Sequence, residues 1–130
     1  MSFRFDIRLY FEDTDFTGRV YHGAYVRFLE RGRTEWLRVA GIDHAELANR
    51  TPPLFFTLRS LSLTFHAPAM IDDLITVVST SAGERRVAFL VEQTVWRGET
   101  KLVTGMAELC LIDPAGRPMR PPQGVRDALS

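Results

Sequence analysis

The feature that most constrains the fold is a change of hydrophobic period near residue 21. Before it, residues Phe3 to Glu12 alternate apolar and polar side chains, which predicts a half-buried strand. After it, apolar residues recur every three to four positions, which predicts one amphipathic helix of about 18 residues. Its apolar stripe consists of Tyr21, Tyr25, Phe28, Leu29, Gly32, Trp36 and Ala40.

The other face of this helix is charged, and its side chains have the spacing of ion pairs along a helix. Gly41 has the position of a glycine that ends a helix, and the small Gly32 would let a strand approach closely. Asp43 and Glu46 fit a capping box, which predicts a second, short helix to about residue 49. The expected ion pairs are Arg27–Glu30, Arg31–Glu35 and Glu35–Arg38.

The rest of the chain predicts strands, over residues 55–67, 74–81, 87–96 and 101–112. The last three are joined by turns too short for a crossover helix, so neighbouring strands must be antiparallel. The one long helix must bury its stripe against this sheet. We therefore expect a single α+β domain over residues 1–130, with a five-stranded antiparallel sheet wrapped around one long central helix, the layout called the hotdog fold.

Composition excludes several classes of function. Sixteen basic and sixteen acidic side chains balance, which argues against nucleic-acid binding by bulk charge and favours self-association. The single cysteine, Cys110, excludes an intramolecular disulfide framework, and we expect a cytoplasmic protein. No apolar run approaches the length of about 20 residues that a membrane span needs, so no transmembrane segment is expected.

Residues Glu12 to His22 form the one stretch dense in chemically active side chains. A calcium loop starting at Asp13 would need a glutamate where Ala24 stands. The three histidines are about 22 residues apart, so we expect no metal and no separate cofactor. No serine-nucleophile sequence is present, and Cys110 lies in an apolar strand, where a thiol is buried and inert.

Two interpretations of the acidic residues in this stretch remain. Asp13 or Asp15 caps the helix or satisfies the loop, as acidic residues near a helix start commonly do. Alternatively, a carboxylate attacks a carbonyl or activates water, while unpaired N–H groups at the helix N-terminus bind the developing oxyanion. The second arrangement is the minimum needed for acyl transfer without a metal.

Residues Asp13 to Tyr25, followed by Phe28 to Leu37, closely resemble the 4-hydroxybenzoyl-CoA thioesterase family of hotdog proteins. The nearest resemblance is to the branch of bacterial acyl-CoA thioesterases associated with the Tol-Pal system. The specific part is the Asp-x-x-Gly-x-Val-Tyr-His core, Asp15 to His22. Ala67-Pro68-Ala69 and the ending Asp113 to Pro118 are weaker parts of the resemblance.

The resemblance implies hydrolysis of an acyl-CoA thioester, with coenzyme A as part of the substrate. Asp15 corresponds to the catalytic carboxylate, a nucleophile or a general base, and His22 to a position implicated in activity. The backbone N–H at the start of the helix, near Tyr21 or His22, corresponds to the group that polarises the carbonyl. Active sites of the family lie at a dimer interface, so we expect a homodimer and, from two dimers, a homotetramer. An acyl carrier protein is a possible alternative carrier of the acyl group.

Two positions depart from the family pattern. Arg19 stands where an apolar residue is commoner, and it would alter the acyl pocket or pair with Asp13. Met70 stands where arginine is common, which puts a phosphate contact there in doubt. Asp13 and His66 are interpreted as structural residues.

The predicted substrate-binding residues are Tyr21, Phe16, Arg85 and Arg86. Phe16 would line an acyl pocket, although core packing explains a phenylalanine equally well. Arg85 and Arg86 occupy a turn and would bind the phosphates of coenzyme A. A hotdog dehydratase acting on hydroxyacyl thioesters and a non-catalytic scaffold for acyl carriers or a membrane complex are the alternative functions.

Overall fold

The computed structural model describes residues 2–130, in which strands and helices follow the predicted order. The strands are β1 (Ser2–Arg8), β2 (Phe55–Phe65), β3 (Leu74–Arg85), β4 (Ala88–Arg97), β5 (Thr100–Ile112) and β6 (Pro118–Met119). The helices are α1 (Ala24–Val39), α2 (His44–Ala48) and α3 (Gln123–Leu129). None of the helices in this part of the chain is long and apolar enough to cross a membrane.

The strands form one antiparallel sheet in the order β1-β3-β4-β5-β2. This arrangement confirms the predicted sheet. A sixth strand, β6, pairs with the end of β5 and was not predicted. It has only two residues, and so short a segment shows no alternation of apolar and polar side chains.

Helix α1 packs its apolar stripe against the sheet, as predicted. Phe28 and Leu29 are fully buried, and Trp36 is 3% exposed. A Cβ atom on Gly32 would lie 2.6 Å from Cγ1 of Val77 on β3, so a glycine at this position allows the close approach of helix and strand. With 16 residues, α1 is about 24 Å long and spans the sheet.

Helix α1 begins at Ala24, later than the predicted start at Tyr21 or His22. The reason is a turn: Ala24 N–H donates to the Tyr21 carbonyl at 2.9 Å, and Tyr21 N–H donates back to the carbonyl of Asp13 at 2.9 Å. Residues Tyr21 to Gly23 therefore connect the acidic loop to the helix. The helix ends at Val39, and Gly41 follows with a positive φ of 85°, as expected for a terminating glycine.

Only one of the three predicted ion pairs on α1, Glu35–Arg38, is present among the described residues. Arg27 instead points towards Asp13 in the preceding loop, with 3.4 Å between Nη2 and Oδ1. Glu30 accepts a hydrogen bond from the Thr34 hydroxyl at 2.8 Å.

The two short helices differ in how well the sequence predicts them. Asp43 caps α2 as expected, because its carboxylate accepts from the N–H of Ala45 at 2.7 Å. Helix α3 was not predicted, since the sequence suggested only loops there. Its seven residues bury Val125 and Leu129, four positions apart, which is too short a run for a periodic signal.

Candidate active site

The loop before α1 holds Asp15 in a tight turn. Thr14 and Val20 form an isolated antiparallel bridge, and Asp15 N–H donates to the Arg19 carbonyl at 2.9 Å. Gly18 N–H donates to the Asp15 carbonyl at 3.0 Å. Gly18 has a φ of 82°, which side chains rarely tolerate, so glycine is required for this turn.

Asp13 anchors the loop and is 7% exposed. Its Oδ2 accepts from the N–H of Tyr10 at 2.9 Å, and its Oδ1 faces Arg27. The structural interpretation of Asp13 therefore agrees with its contacts. The partner of Asp13 is Arg27 and not Arg19, which instead bridges to Met70 through the backbone.

The Asp15 carboxylate is exposed and is held by Thr17. Its Oδ1 accepts from the Thr17 hydroxyl at 2.6 Å and from the Thr17 N–H at 2.8 Å. These two hydrogen bonds, with smaller electrostatic contributions from His22 and Arg19, lower the pKa of the Asp15 carboxyl below its usual value. Oδ2 accepts no hydrogen bond from residues 2–130 and is available to a water or a substrate.

Asp15 and His22, the two predicted catalytic residues, line the same cavity of about 320 Å³. Its other wall is the end of β2 and the residues after it, which no sequence argument placed here. Their only signal was the weak family resemblance of Ala67-Pro68-Ala69. The cavity is lined by Asp15, Thr17, Arg19, Val20, His22, Tyr25, Phe65, His66, Ala67 and Pro68.

Two backbone donors lie at the entry to α1. The N–H groups of His22 and Gly23 donate to no acceptor within residues 2–130, unlike those of Tyr21 and Ala24 on either side. The Tyr21 ring lies 4.4 Å from the His22 ring and so close to Gly23 that a Cβ there would be 2.4 Å from it. Tyr21 thus packs beside these donors and is not among the residues that line the cavity, and its contact with substrate stays a prediction.

A second, apolar cavity of about 550 Å³ adjoins the other side of Asp15. Its wall includes Phe11, Phe16 and Ile71, and the Phe16 side chain is fully exposed. Phe16 is therefore not a core residue. Asp15 lines both cavities and lies where they meet.

Arg85 and Arg86 lie at the other end of the sheet. The opposite end of the β3–β4 hairpin, where β4 ends at Arg97, lies near the cavity. Arg97 there donates to the carbonyl of Pro68, which lines the cavity, and to the Asp73 carboxylate, each at 3.0 Å. Arg85 ends the 12-residue strand β3, about 35 Å from Leu74 at the usual strand rise. Within one chain, these arginines do not share a cavity with Asp15.

Residues 2–130 contain no cluster of three or more His, Cys, Asp or Glu side chains placed to hold a metal ion. The polar side chains of the site are the Asp15 carboxylate, the two imidazoles, and the side chains of Thr17, Arg19 and Tyr25. A carboxylate and unpaired N–H groups are the pair of features that acyl transfer without a metal requires.

The chain belongs to the thioesterase superfamily, whose family model matches residues 17–104. This confirms the family expected from the sequence. The match runs from the Asp15 loop through α1 and into β5.

One curated relative and one solved structure share more than 30% of their residues with this chain. The chain is 34% identical over 114 residues to an Escherichia coli protein named acyl-CoA thioester hydrolase YbgC, which covers 86% of this chain and 83% of that protein. A probable thioesterase from Bartonella henselae is 40% identical, with a TM-score of 0.90 over 94% of this chain and 100% of that one.

The hotdog fold is confirmed by a more distant structure. An Asp-to-Asn mutant of 4-hydroxybenzoyl CoA thioesterase, complexed with 4-hydroxybenzoyl CoA, superposes with a TM-score of 0.91 at 18% identity. It covers 99% of each chain. At this identity the likeness concerns the fold alone.

Proposed function

We propose that this chain hydrolyses acyl-CoA thioesters to a free acid and coenzyme A. The observation that carries the proposal is the free Oδ2 of Asp15 in a cavity that His22 also lines, with the unpaired N–H groups of His22 and Gly23 at the entry to α1. The Escherichia coli relative, by its name, acts on acyl-CoA thioesters.

The thioester carbonyl oxygen accepts hydrogen bonds from His22 N–H and Gly23 N–H, which stabilise the oxyanion as it forms. Asp15 either attacks the carbonyl carbon or removes a proton from the attacking water. Both routes need an ionised carboxylate, which the hydrogen bonds from Thr17 favour. His22 either takes part in the proton transfers or orients the loop.

The two cavities that meet at Asp15 suit the two halves of the substrate. The apolar cavity with Phe11, Phe16 and Ile71 receives the acyl group, and the polar cavity with His22 receives the thiol side. Apolar pockets of several hundred Å³ are typical of small-molecule sites. This assignment gives Phe16 the substrate-binding role expected for it.

A thiol-release assay over short, long, branched and aromatic acyl-CoAs tests the proposal. We expect Phe16→Ala to raise KM about tenfold for long or aromatic acyl groups, because burying an aromatic side chain against them is worth about 1.5–3 kcal/mol. Acetyl-CoA, which does not reach Phe16, should be hydrolysed at an unchanged rate. Equal losses on all substrates would contradict the assignment of the apolar cavity.

The same assay separates the alternative functions. An enoyl product without free thiol would indicate a dehydratase. The absence of any turnover, with binding of an acyl carrier protein retained, would indicate a scaffold. Wild-type protein that releases no thiol from any acyl-CoA would contradict the proposed hydrolysis.

The pH dependence of hydrolysis tests the role of Thr17. Thr17→Val removes the hydroxyl that contributes most to lowering the pKa of Asp15. Since activity needs the carboxylate ionised, we expect the acidic limb of the kcat/KM profile to move to higher pH. Thr17→Ser keeps the hydroxyl and should leave the limb in place. A limb that does not move in Thr17→Val would contradict this role.

Association into a homodimer, and of two dimers into a homotetramer, is part of the proposal. The strand β2 is at the edge of the sheet and exposes Phe55, Leu58 and Phe65, a surface that suits a second copy. Arg85 and Arg86 would then bind coenzyme A phosphates at the site of a neighbouring subunit. Static light scattering that gives a stable monomer at micromolar concentration would contradict this part. Cytoplasmic location, an acyl carrier protein as substrate carrier and the Tol-Pal association stay predictions.

A further inference from the structure

His66 was interpreted as a structural residue, yet it lines the same cavity as Asp15 and His22. It follows the end of β2, and its N–H donates to the Leu102 carbonyl at 2.8 Å. Its Nε2 is 2.8 Å from the hydroxyl of Thr104 on β5. The backbone and the ring of His66 are thus both hydrogen-bonded to β5, and Nδ1 remains as the ring nitrogen available to a ligand.

The groups around the thioester carbon indicate what His66 faces. This step rests on the proposed function. The carbonyl oxygen is directed to the N–H groups of His22 and Gly23, and the acyl group to the apolar cavity beyond Asp15. The sulfur and the pantetheine chain therefore remain in the polar cavity, whose remaining wall is the segment Phe65 to Pro68.

The other polar side chains of this cavity belong to the Asp15 loop and to the start of α1. Asp15 and Thr17 bond each other, and Arg19 lies beside Asp15. The His22 ring packs between those of Tyr21 and Phe65, with centroid distances of 4.4 and 6.4 Å. On the wall formed by Phe65 to Pro68, His66 is the one residue with a polar side chain.

We propose that His66 donates a proton to the sulfur of the departing coenzyme A. The oxygen of water, or of Asp15, bonds to the carbonyl carbon, and the carbon–sulfur bond then breaks with its electron pair moving to sulfur. Sulfur takes a proton from His66, and the imidazole regains one from solvent. In the water route, Asp15 takes the proton of the attacking water and returns it to solvent. In the Asp15 route, the acyl group is left on Asp15 as a mixed anhydride, which a water then hydrolyses to the free acid and the Asp15 carboxylate. The sum of either route is thioester plus water giving acid plus thiol.

Two substitutions separate the two ring nitrogens. Asparagine places its amide N–H near the position of Nδ1, whereas glutamine reaches the position of Nε2 and keeps the contact with Thr104. We expect His66→Gln to lower kcat/KM on acyl-CoA about 100-fold, the lower end of the range for general acid catalysis. We expect His66→Asn to retain more activity than His66→Gln, because its amide N–H can still donate a hydrogen bond to the sulfur as negative charge develops there.

The leaving group provides a readout that a merely structural role would not change. A thiophenyl ester of the same acyl group releases a thiol of lower pKa, which departs without help from an acid. On this ester, His66→Gln should lose less than about threefold if only proton donation is removed. The matched control is His44→Gln, an exposed histidine that packs on Phe56 in a different cavity, and it should keep wild-type rates on both substrates.

Equal losses of His66→Gln on the two substrates, or wild-type activity on both, would overturn the role of His66. A weaker activity of His66→Asn than of His66→Gln would contradict the assignment of Nδ1. These results differ from a failure of the proposed function, in which the wild-type protein itself releases no thiol from acyl-CoA.

Discussion

Asp15→Asn is expected to reduce kcat/KM for acyl-CoA hydrolysis by about 10³–10⁴-fold, the upper part of the range for loss of a general base. The amide oxygen of asparagine can keep both hydrogen bonds from Thr17, so the loop should retain its shape. What the substitution removes is the charge of the carboxylate and the basic lone pair on Oδ2. An amide neither attacks a thioester nor takes a proton from water at neutral pH.

The matched control for this substitution is Asp43→Asn. Asp43 is also an exposed aspartate that accepts backbone N–H groups, and asparagine caps a helix as well as aspartate does. We expect this control to hydrolyse acyl-CoA at the wild-type rate. Steady-state thiol release and a thermal melt of both variants distinguish lost chemistry from lost folding. An Asp15→Asn enzyme as fast as wild type would show that another group performs the chemistry.

The sequence could indicate that Asp15 and His22 lie near each other because both belong to one continuous loop and its entry to α1. The period of the apolar side chains decides helix or strand locally, and the turn glycine Gly18 lies in the same stretch. The period and the turn glycine can both be recognised within about ten neighbouring residues. The structure brings Asp15 and His22 into one cavity, in agreement with that local prediction.

The opposite wall of the cavity could not be predicted in this way. Phe65 and His66 line the Asp15 cavity because the chain just after them bridges to the Asp15 loop, where Val20 N–H donates to the Ala69 carbonyl at 2.8 Å. No spacing within the sequence encodes that contact between segments about 50 residues apart. The large distance of Arg85 and Arg86 from Asp15 could not be predicted either. It follows from the length of β3, which extends to Arg85.

The start of α1 shows a different limit. The stripe beginning at Tyr21 has helical spacing, but the backbone of Asp13 accepts the N–H of Tyr21 and turns the chain before Ala24. This competition of a loop contact with the first helical turn leaves His22 N–H and Gly23 N–H without partners in the described chain. The residues that depart from the predicted helix are thus the ones proposed to bind the oxyanion.

A buried polar cluster beneath α1 is the basis of the second prediction, a large loss of stability. Gln93, on β4, is 1% exposed, and its Nε2 donates to the Leu29 carbonyl and to the Ser79 hydroxyl, each at 2.9 Å. Its Oε1 accepts from Nη1 of Arg33 at 2.9 Å. Arg33 is 5% exposed, and burial lowers the pKa of its guanidinium. One amide therefore satisfies a helix carbonyl, a hydroxyl and a buried cation.

Gln93→Leu is expected to lower the free energy of unfolding by about 2–4 kcal/mol, because it leaves buried polar groups, one of them charged, without their hydrogen-bond partner. Leucine has a similar volume, so loss of polar contacts and not a cavity should account for the effect. Arg33→Leu removes the cation that depends on Gln93. The double variant should therefore lose less free energy of unfolding than the two single variants lose in sum. Urea unfolding of the four proteins gives this coupling, which we expect at about 1–3 kcal/mol.

A control in the same strand, Val95→Ala, also changes a fully buried side chain but removes no hydrogen bond, and its effect should add to that of Arg33→Leu. Additive losses for Gln93→Leu and Arg33→Leu would show that the two side chains act independently. The helix carbonyl of Leu29 bound by Gln93 lies about one turn beyond Tyr25, which lines the same cavity as Asp15. Because Gln93 holds α1 to β4 at this point, its loss should also loosen the helix start that carries the proposed oxyanion donors.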